Sequence, residues 1–202
     1  MRGLKLSIVS SLLIFSALYG ETTIGADVVS RYVWRGTDYV NAAAVQPAIE
    51  TTLGSITMGA WGSWALNGVE GGNECDLYVS TTVGPVGLTL TDYFFPAYAG
   101  KDAWSEFSGD ETTHTFELSA GVDLGPISVL AASNVSGDDD NSSYLELTYG
   151  ALSIGLGDGS YSTDDEFAPV SVGVSASRDN FFASYIINPD QDTSFLVFGI
   201  SF

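Results

Sequence analysis

The sequence predicts an all-β fold, an antiparallel transmembrane β-barrel of about 12 strands with short periplasmic turns and longer, acidic extracellular loops. Three observations lead to this prediction. Apolar residues alternate with small or polar residues along one segment after another, which is the period of a half-buried strand. Very short turns alternate with longer polar loops from the first segment to the last. Short connections at one end and long ones at the other are typical of outer-membrane barrels.

The alternation divides the chain into twelve predicted strands. An even number returns both ends of the barrel to the side of the short turns. Several segments have the nine to eleven residues that a tilted membrane strand needs, and others are shorter. The predicted strands are residues 24–35, 45–53, 56–66, 75–83, 86–95, 114–124, 127–135, 143–149, 152–159, 168–177, 181–187 and 193–202.

The tight turns predict how neighbouring strands pair. Glycine at the first central position suits a type II′ hairpin. Around each turn the predicted pairs place apolar residues on one face and small or polar residues on the other, so a slip of one residue would exchange the faces. The predicted turns are Gly54-Ser55, Gly84-Pro85, Gly125-Pro126 and Gly150-Ala151, with a fifth near Arg178-Asp179.

The apolar face points outward in a membrane barrel and inward in a soluble lipocalin-like barrel. Three features favour the outward arrangement here. The polar face has little lysine, unlike a solubilising exterior. Several aromatic residues lie near strand ends, where interfacial girdles form. The last strand alternates to a terminal aromatic residue, and we interpret Phe198 and Phe202 as a signal for the barrel-assembly machinery. The aromatic residues near strand ends are Tyr32, Trp34, Trp64, Phe94, Tyr149, Phe181 and Phe202.

The same alternation predicts the residues of the lumen. Small residues on the ninth and tenth strands, such as Gly155 and Gly157, indicate an open wall and a narrow pore. The alternative is a plug of paired charges that seals the barrel. With Arg35 opposite Gln46, the first hairpin would place Arg31 opposite Glu50. The predicted lumen-facing residues are Asp27, Arg31, Arg35, Gln46, Glu50, Asp76, Glu117 and Glu146.

Residues 1–20 read as a signal peptide, and residues 21–202 as a single outer-membrane barrel domain. Arg2 and Lys5 precede an apolar run that is too short to span a bilayer as a helix. A stretch of mainly small residues, 16–20, follows it. The predicted location is therefore the bacterial outer membrane, reached by export and cleavage. The expected partners are outer-membrane lipids and lipopolysaccharide.

The charge balance is strongly acidic. The chain has 25 acidic and 6 basic residues, and only Arg31, Arg35, Lys101 and Arg178 are basic after residue 20. Such a surface argues against nucleic-acid binding, which needs basic residues. The acidic loops, which include residues 138–140 and 164–166, form either a solvated rim or a surface that binds divalent cations and bridges to lipopolysaccharide.

A catalytic site is not predicted. The one histidine, His114, could form a triad with Ser105 or Ser108 and a loop carboxylate. However, His114 lies on the same face of its predicted strand as Phe116 and Leu118, so its side chain is expected to point toward lipid rather than the lumen. No cluster has metal-ligand spacing, and no cofactor is predicted.

The early strands carry a more specific likeness. Ser30-Arg31-Tyr32-Val33-Trp34-Arg35-Gly36, Val45-Gln46-Pro47-Ala48-Ile49-Glu50 and Gly59-Ala60-Trp61-Gly62-Ser63 resemble the TorF family of porin-like outer-membrane barrels. The resemblance covers about residues 24–66 and implies a barrel fold and an outer-membrane location. It fits a narrow, cation-preferring channel for small solutes or ions. A closed structural or adhesion barrel and a membrane-embedded lipid-modifying enzyme are the alternatives.

Overall fold

The computed structural model of the protein describes residues 20–96, 103–105, 107 and 113–202. The predicted signal peptide lies outside the described residues except for Gly20. The strands are β1 (Glu21–Val29), β2 (Tyr32–Trp34), β3 (Thr37–Val40), β4 (Ala44–Leu53), β5 (Ile56–Ala65), β6 (Glu74–Val83), β7 (Val86–Phe94), β8 (His114–Leu124), β9 (Ile127–Ser136), β10 (Ser143–Tyr149), β11 (Leu152–Gly159), β12 (Asp165–Arg178), β13 (Phe181–Asn188) and β14 (Thr193–Ser201), with a short 3-10 turn at Ala103–Ser105.

Twelve of these strands form a closed antiparallel barrel, as the alternation predicted. Each strand from β4 to β14 pairs with its neighbours in the sequence, and β1 closes the barrel between β4 and β14. The remaining two strands, β2 and β3, form a separate two-stranded sheet. No helix in the described residues is long and apolar enough to cross a membrane.

The registers predicted from the tight turns are confirmed. Val83 pairs with Val86, and Tyr149 pairs with Leu152. The first central glycine of each of the four predicted turns has a positive φ, between 58° and 69°, as a type II′ turn requires. The fifth turn lies one residue later than predicted, because Arg178 is the last residue of β12 and pairs with Phe181.

The prediction for the first strand is wrong in one respect. A single strand was expected over residues 24–35, but β1 ends at Val29 and the chain then enters the hairpin β2–β3. Arg35 and Gly36 both have positive φ, 49° and 83°, which is the signature of a type I′ turn. The alternation continues through both elements, so periodicity alone could not separate them.

The register of β1 corrects the predicted charge pair. Asp27 faces Gln46 and Thr23 faces Glu50 across β4. The expected pairs of Arg35 with Gln46 and of Arg31 with Glu50 therefore do not form. Both arginines lie beyond the end of β1, in the segment that leaves the wall.

The outer face of the barrel is apolar, the reverse of a soluble lipocalin-like barrel. Large side chains on the outward positions are exposed on strands around the whole circumference. They include Ile24, Ile49, Ile56, Met58, Leu77, Val79, Leu90, Leu118, Leu147, Ile154, Val174, Leu196 and Phe198.

Two buried clusters lie inside the barrel, and residues of β2 pack against both of them. The first joins Val29, Ala44 and Val197, with Val33 packed on it. In the second, Tyr144, Tyr161, Val170 and Ala132 come together and Trp34 packs on them. Successive residues of one strand thus contact different walls, as expected for a hairpin in the lumen. Tyr32 and Trp34, which the sequence placed in an interfacial girdle, are lumen residues.

Aromatic rings pack directly against two glycines of the barrel wall. A Cβ on Gly155 would lie 2.1 Å from the hydroxyl oxygen of Tyr144, and one on Gly157 would lie 2.7 Å from the Cβ of Tyr161. The sequence interpretation took these glycines as a sign of open space. At these two positions tyrosine side chains fill the space instead.

Deleting Phe202 should impair closure of the barrel. The seam between β1 and β14 is short, with pairs only from Asp27–Ser201 to Val29–Gly199. Beyond them, Phe202 donates its N–H to the Ala26 carbonyl at 2.9 Å and accepts from the Ala26 N–H at 3.4 Å. We expect the amount of folded protein to fall severalfold, measured by immunoblot of unheated samples. Deleting Gly68, an exposed loop residue, is the matched control, and an equal effect of both deletions would contradict the role of the terminal residue.

Candidate functional site in the lumen

The hairpin β2–β3 and its flanking residues, here called the inserted hairpin (residues 30–43), enter the barrel from the end that carries the long loops. Its β-ladder lies within the hairpin itself, and it is not a strand of the barrel sheet. Side-chain contacts therefore dominate its attachment to the wall. This arrangement forms a constriction that could move without breaking the barrel ladder.

The tip of the inserted hairpin is held by a buried ion pair. The Arg35 guanidinium donates to both carboxylate oxygens of Glu117 on β8, at 2.9 Å for the Nη2–Oε1 contact. The Arg35 side chain is 7% exposed and that of Glu117 is 3% exposed. A bidentate pair of this kind combines directional hydrogen bonds with charge attraction. It links the hairpin to a strand 82 residues further along the chain.

Aromatic rings surround the Arg35 guanidinium. Its central carbon lies 4.2 Å from the ring centroid of Trp34, 4.3 Å from that of Tyr144 and 5.0 Å from that of Tyr161. Burial lowers the pKa of Arg35, but the hydrogen bond and charge of Glu117 outweigh it and raise this pKa above its ordinary value. Arg35 is therefore a fixed positive charge whose field Glu117 largely cancels.

A second polar contact anchors the first strand of the hairpin. The Tyr32 hydroxyl donates to the Glu74 carboxylate on β6 at 2.6 Å. Burial and the Glu74 charge raise the pKa of Tyr32 above its ordinary value, so the hydroxyl keeps its proton. On the other side of the tip, the Asn188 amide donates to the Gly36 carbonyl at 3.3 Å. Glu74 and Asn188 are both fully buried.

Toward the short turns, the lumen opens into a cavity of about 440 Å³. Its lining is mixed, with two carboxylates among small and hydroxyl-bearing side chains. Residues that line it include Thr82, Gly87, Asp123, Ser128, Glu146 and Thr148. The lumen thus has a constriction near the long loops and a chamber of mixed lining near the short turns.

Comparison with known families places the chain in a group of bacterial proteins. Residues 19–197 match the family model Gcw_chp, described as a bacterial protein of unknown function. The chain belongs to the Gcw_chp family. No curated protein and no solved structure matches it. This match does not confirm the resemblance of residues 24–66 to the TorF porins.

In this Gcw_chp barrel, the predicted lumen residues that lie on barrel strands contact other side chains of the lumen wall or are partly or fully buried there. Gln46 contacts the Ser63 hydroxyl at 3.3 Å. Glu50 and Glu146 accept hydrogen bonds from Tyr78 and Tyr144, each at 2.9 Å. Asp27 is half-buried opposite Gln46, and Asp76 is buried on the same face of β6 as Glu74.

Arg31 differs from Arg35 in its surroundings. Its guanidinium donates to Asp38 and to the Asn41 side chain, both at 2.6 Å and both within the inserted hairpin. The Arg31 side chain is 32% exposed. Its hydrogen bonds therefore stabilise the hairpin locally, and it reaches the wall through a cation–π contact with Phe195 on β14, at 5.5 Å. Arg35, in contrast, ties the hairpin to the wall by a buried ion pair.

His114 of the Gcw_chp barrel lies on the outer side of the wall. Its Nδ1 is 2.8 Å from an Asp92 carboxylate oxygen, and its Nε2 is 3.2 Å from the Trp104 carbonyl. The ring stacks on Phe94, with centroids 4.7 Å apart. Of the two serines considered for a triad, Ser105 lies in the short 3-10 turn and Ser108 falls outside the described residues. In the described residues no group of three or more His, Cys, Asp or Glu side chains could hold a metal ion.

Sequence reasoning missed Tyr32, Tyr93, Tyr144, Tyr161 and Asn188 as parts of the site. The available signal was the dipeptide Arg35-Gly36 between two aromatic-rich segments, since glycine is favoured in type I′ hairpin turns. A second hairpin inside residues 30–43 could have been inferred from it. Its wall partners could not, because they come from distant strands.

Proposed function

We propose that the protein is a bacterial outer-membrane barrel that forms a narrow, cation-preferring channel for small solutes or ions. The inserted hairpin is its constriction. Export through a cleaved signal peptide and insertion by the barrel-assembly machinery would bring it to the membrane, where its outer face contacts lipids and its loops contact lipopolysaccharide.

The apolar outer face supports a membrane location. Side chains such as Ile24, Leu118 and Phe198 are more than half exposed on outward positions. In water, a belt of this size would favour aggregation, whereas lipid would cover it. A closed barrel also pairs its backbone groups between strands, as the bilayer core requires.

The observation that carries the channel proposal is the separate sheet of the inserted hairpin beside the chamber. A lumen that was simply packed solid would leave no cavity of this volume. Here the hairpin narrows one end, and the chamber of about 440 Å³ lies toward the other. A loop folded into a barrel lumen reduces the bore and sets which groups a solute meets.

The charges of the lumen support a preference for cations. The inward-facing positions of the wall strands carry several carboxylates, among them those of Asp27, Glu50, Asp123 and Glu146. The positive charge of Arg35 is paired with Glu117. Carboxylates in excess raise the local concentration of cations and repel anions.

The proposal is tested in two steps on the purified full chain. Fractionation should recover the protein from outer membranes as a species whose gel mobility shifts on heating, because closed barrels resist detergent. In planar bilayers it should then conduct, and a KCl gradient should give a reversal potential of the sign for K⁺ selectivity. Recovery as a soluble periplasmic protein would contradict the membrane location. Anion selectivity would contradict the preference for cations.

A closed structural or adhesion barrel is the second candidate. The packing of Trp34, Tyr144 and Tyr161 around the Arg35–Glu117 pair favours it, since a stable plug needs such contacts. Insertion into bilayers without conductance at any voltage would select this function over a channel.

A further inference from the structure

Two acidic side chains lie next to each other on the inner face of β6, where the inserted hairpin packs against the wall. Glu74 is 1% exposed and Asp76 is 6% exposed. Across the ladder to β5, Glu74 faces Ser63 and Asp76 faces Trp61. The ring of Tyr32, from the hairpin, lies 5.5 Å from that of Trp61. The two carboxyl groups are therefore enclosed between the wall and the hairpin.

No positive charge compensates this pair in the part of the chain that the structure describes. The two arginines of the hairpin, Arg31 and Arg35, are paired with other carboxylates. Neither Glu74 nor Asp76 takes part in an ion pair among the described residues. Two buried carboxylates side by side cannot both be ionised at low cost, so such a pair retains a proton.

The hydrogen bonds around the pair indicate where this proton is. The two carboxyl groups hydrogen-bond to each other, which requires a proton on one of them. Glu74 also accepts from the Tyr32 hydroxyl, at 2.6 Å. Asp76 accepts from the Phe94 backbone N–H, but no donor among the described residues reaches its buried Oδ1 atom. An oxygen in these surroundings is suited to carry a proton, so Asp76 is the donor and Glu74 the charged acceptor.

The titratable groups that surround the pair are of two kinds. Two phenol groups of the hairpin keep their protons, because burial and the Glu74 charge raise the pKa values of Tyr32 and Tyr39 above the ordinary value. The others have a hydrogen bond of their own or lie on the outer face of the wall. They are Tyr93, which donates to Glu117, and, on the outer face, Cys75 and the Asp92–His114 pair. The shared proton can therefore be lost while the rings that cover it stay neutral.

We infer that the Glu74–Asp76 pair is a pH-sensitive anchor of the inserted hairpin. Loss of the shared proton leaves two buried carboxylates side by side, and their repulsion is relieved when water reaches them. The wall cannot open here without breaking its ladder, whereas the hairpin is a separate sheet. The hairpin is therefore attached at low pH and released as the pH rises. This device goes beyond the proposed channel, because the hairpin can be released whether or not the barrel conducts.

The direction of the pH effect follows from proton binding in the two states. In the released state both carboxyl groups are in water, where their ordinary pKa values are about 4. Above about pH 5, the attached state therefore binds one proton more than the released state. Its stabilisation by this proton is complete below about pH 4 and is lost as the shared proton dissociates. One proton changes the equilibrium by at most about tenfold per pH unit.

Infrared spectroscopy of the full chain, folded in a detergent without carbonyl groups, tests the shared proton. At about pD 7, carboxyl groups in water are ionised, so the C=O band of a protonated carboxylic acid should come from the pair. The wild type should show this band, and Asp76→Asn should lose it. Asp123→Asn, which changes an exposed carboxyl group near the short turns, is the matched control and should keep it. Absence of the band in the wild type, or its persistence in Asp76→Asn, would overturn the assignment.

Trypsin cleavage after Arg35 tests the release of the hairpin, with cleavage after Arg178 as the internal reference for the activity of trypsin at each pH. The Arg178 side chain is 93% exposed. Relative to this reference, cleavage after Arg35 in the wild type should rise at least about tenfold from about pH 6.5 to about pH 8.5. In Asp76→Asn it should change less than about twofold, because the amide donates to Glu74 at every pH.

The double variant Glu74→Gln with Asp76→Asn leaves no carboxyl group at the anchor and should also be insensitive to pH. It keeps the test independent of the folding of a single variant. Neither measurement requires conduction, so a barrel without conductance would contradict the channel and leave the anchor standing. The same pH dependence of cleavage after Arg35 in the wild type and in the variants would overturn the inference.

Discussion

Replacing Arg35 with glutamine should lower the free energy of unfolding by about 3–5 kcal/mol, the usual cost of breaking a buried ion pair by removing one partner. The reason is the Glu117 carboxylate, which would remain 3% exposed without its counter-charge. The cation–π contacts of the guanidinium with Trp34, Tyr144 and Tyr161 would be lost as well. The inserted hairpin should then leave the wall, and the conductance should rise.

Denaturant unfolding in detergent, monitored by tryptophan fluorescence, measures this decrease in the free energy of unfolding. Arg31→Gln is the matched control, because the Arg31–Asp38 pair lies within the hairpin and is more exposed. It should cost at most about 1 kcal/mol. The double variant Arg35→Gln with Glu117→Gln should recover part of the loss, since no buried charge remains. Equal effects of the two arginine substitutions would contradict the anchoring role of Arg35.

Replacing Gly36 with alanine should displace the tip of the inserted hairpin. Gly36 has a φ of +83°, and an added Cβ would lie 1.9 Å from the Val170 carbonyl oxygen. Backbone atoms of β12 cannot move aside without disturbing the barrel. The hairpin tip should therefore move away and break the hydrogen bond from Asn188 to the Gly36 carbonyl.

Trypsin reports this displacement, because cleavage after Arg35 needs the hairpin tip to be accessible. We expect the cleavage rate there to rise by at least about tenfold in Gly36→Ala, since the open form becomes more populated. Gly84→Ala is the matched control. Its φ is +61°, so it carries a similar left-handed penalty, but nothing lies within 4 Å of the added Cβ. Equal cleavage after Arg35 in the two variants would contradict the claim that the collision with Val170 displaces the hairpin tip.

Most of the barrel could be predicted from the sequence because its turns are local. Gly84 and Gly150 each fix a register within a few residues, and the alternation then assigns every side chain to a face. The same reasoning failed for residues 30–35. There the alternation ran on through a second element, and β2 follows β1 after only two residues.

The site was less predictable than the fold. The alternation placed Glu117 and Glu146 on the lumen face of their strands, but it could not predict which side chains they would contact. The Arg35–Glu117 pair joins positions 82 residues apart, and it depends on how far the hairpin enters the lumen. The glycines of the wall were ambiguous for the same reason. Gly155 indicates open space until the ring of Tyr144 is known to lie against it.

The conductance of a barrel without its hairpin tests the central claim most directly. Because Val29 and Ala44 are directly paired, residues 31–42 can be replaced by a glycine–serine linker of about two residues. With Ser30 and Ala43 this makes a loop of about four residues, within the usual length of a hairpin loop. In planar bilayers this variant should form a pore with severalfold higher conductance than the wild type, still selective for K⁺ over Cl⁻. The same conductance in both proteins, or none in either, would contradict the claim that the inserted hairpin is the constriction of a channel.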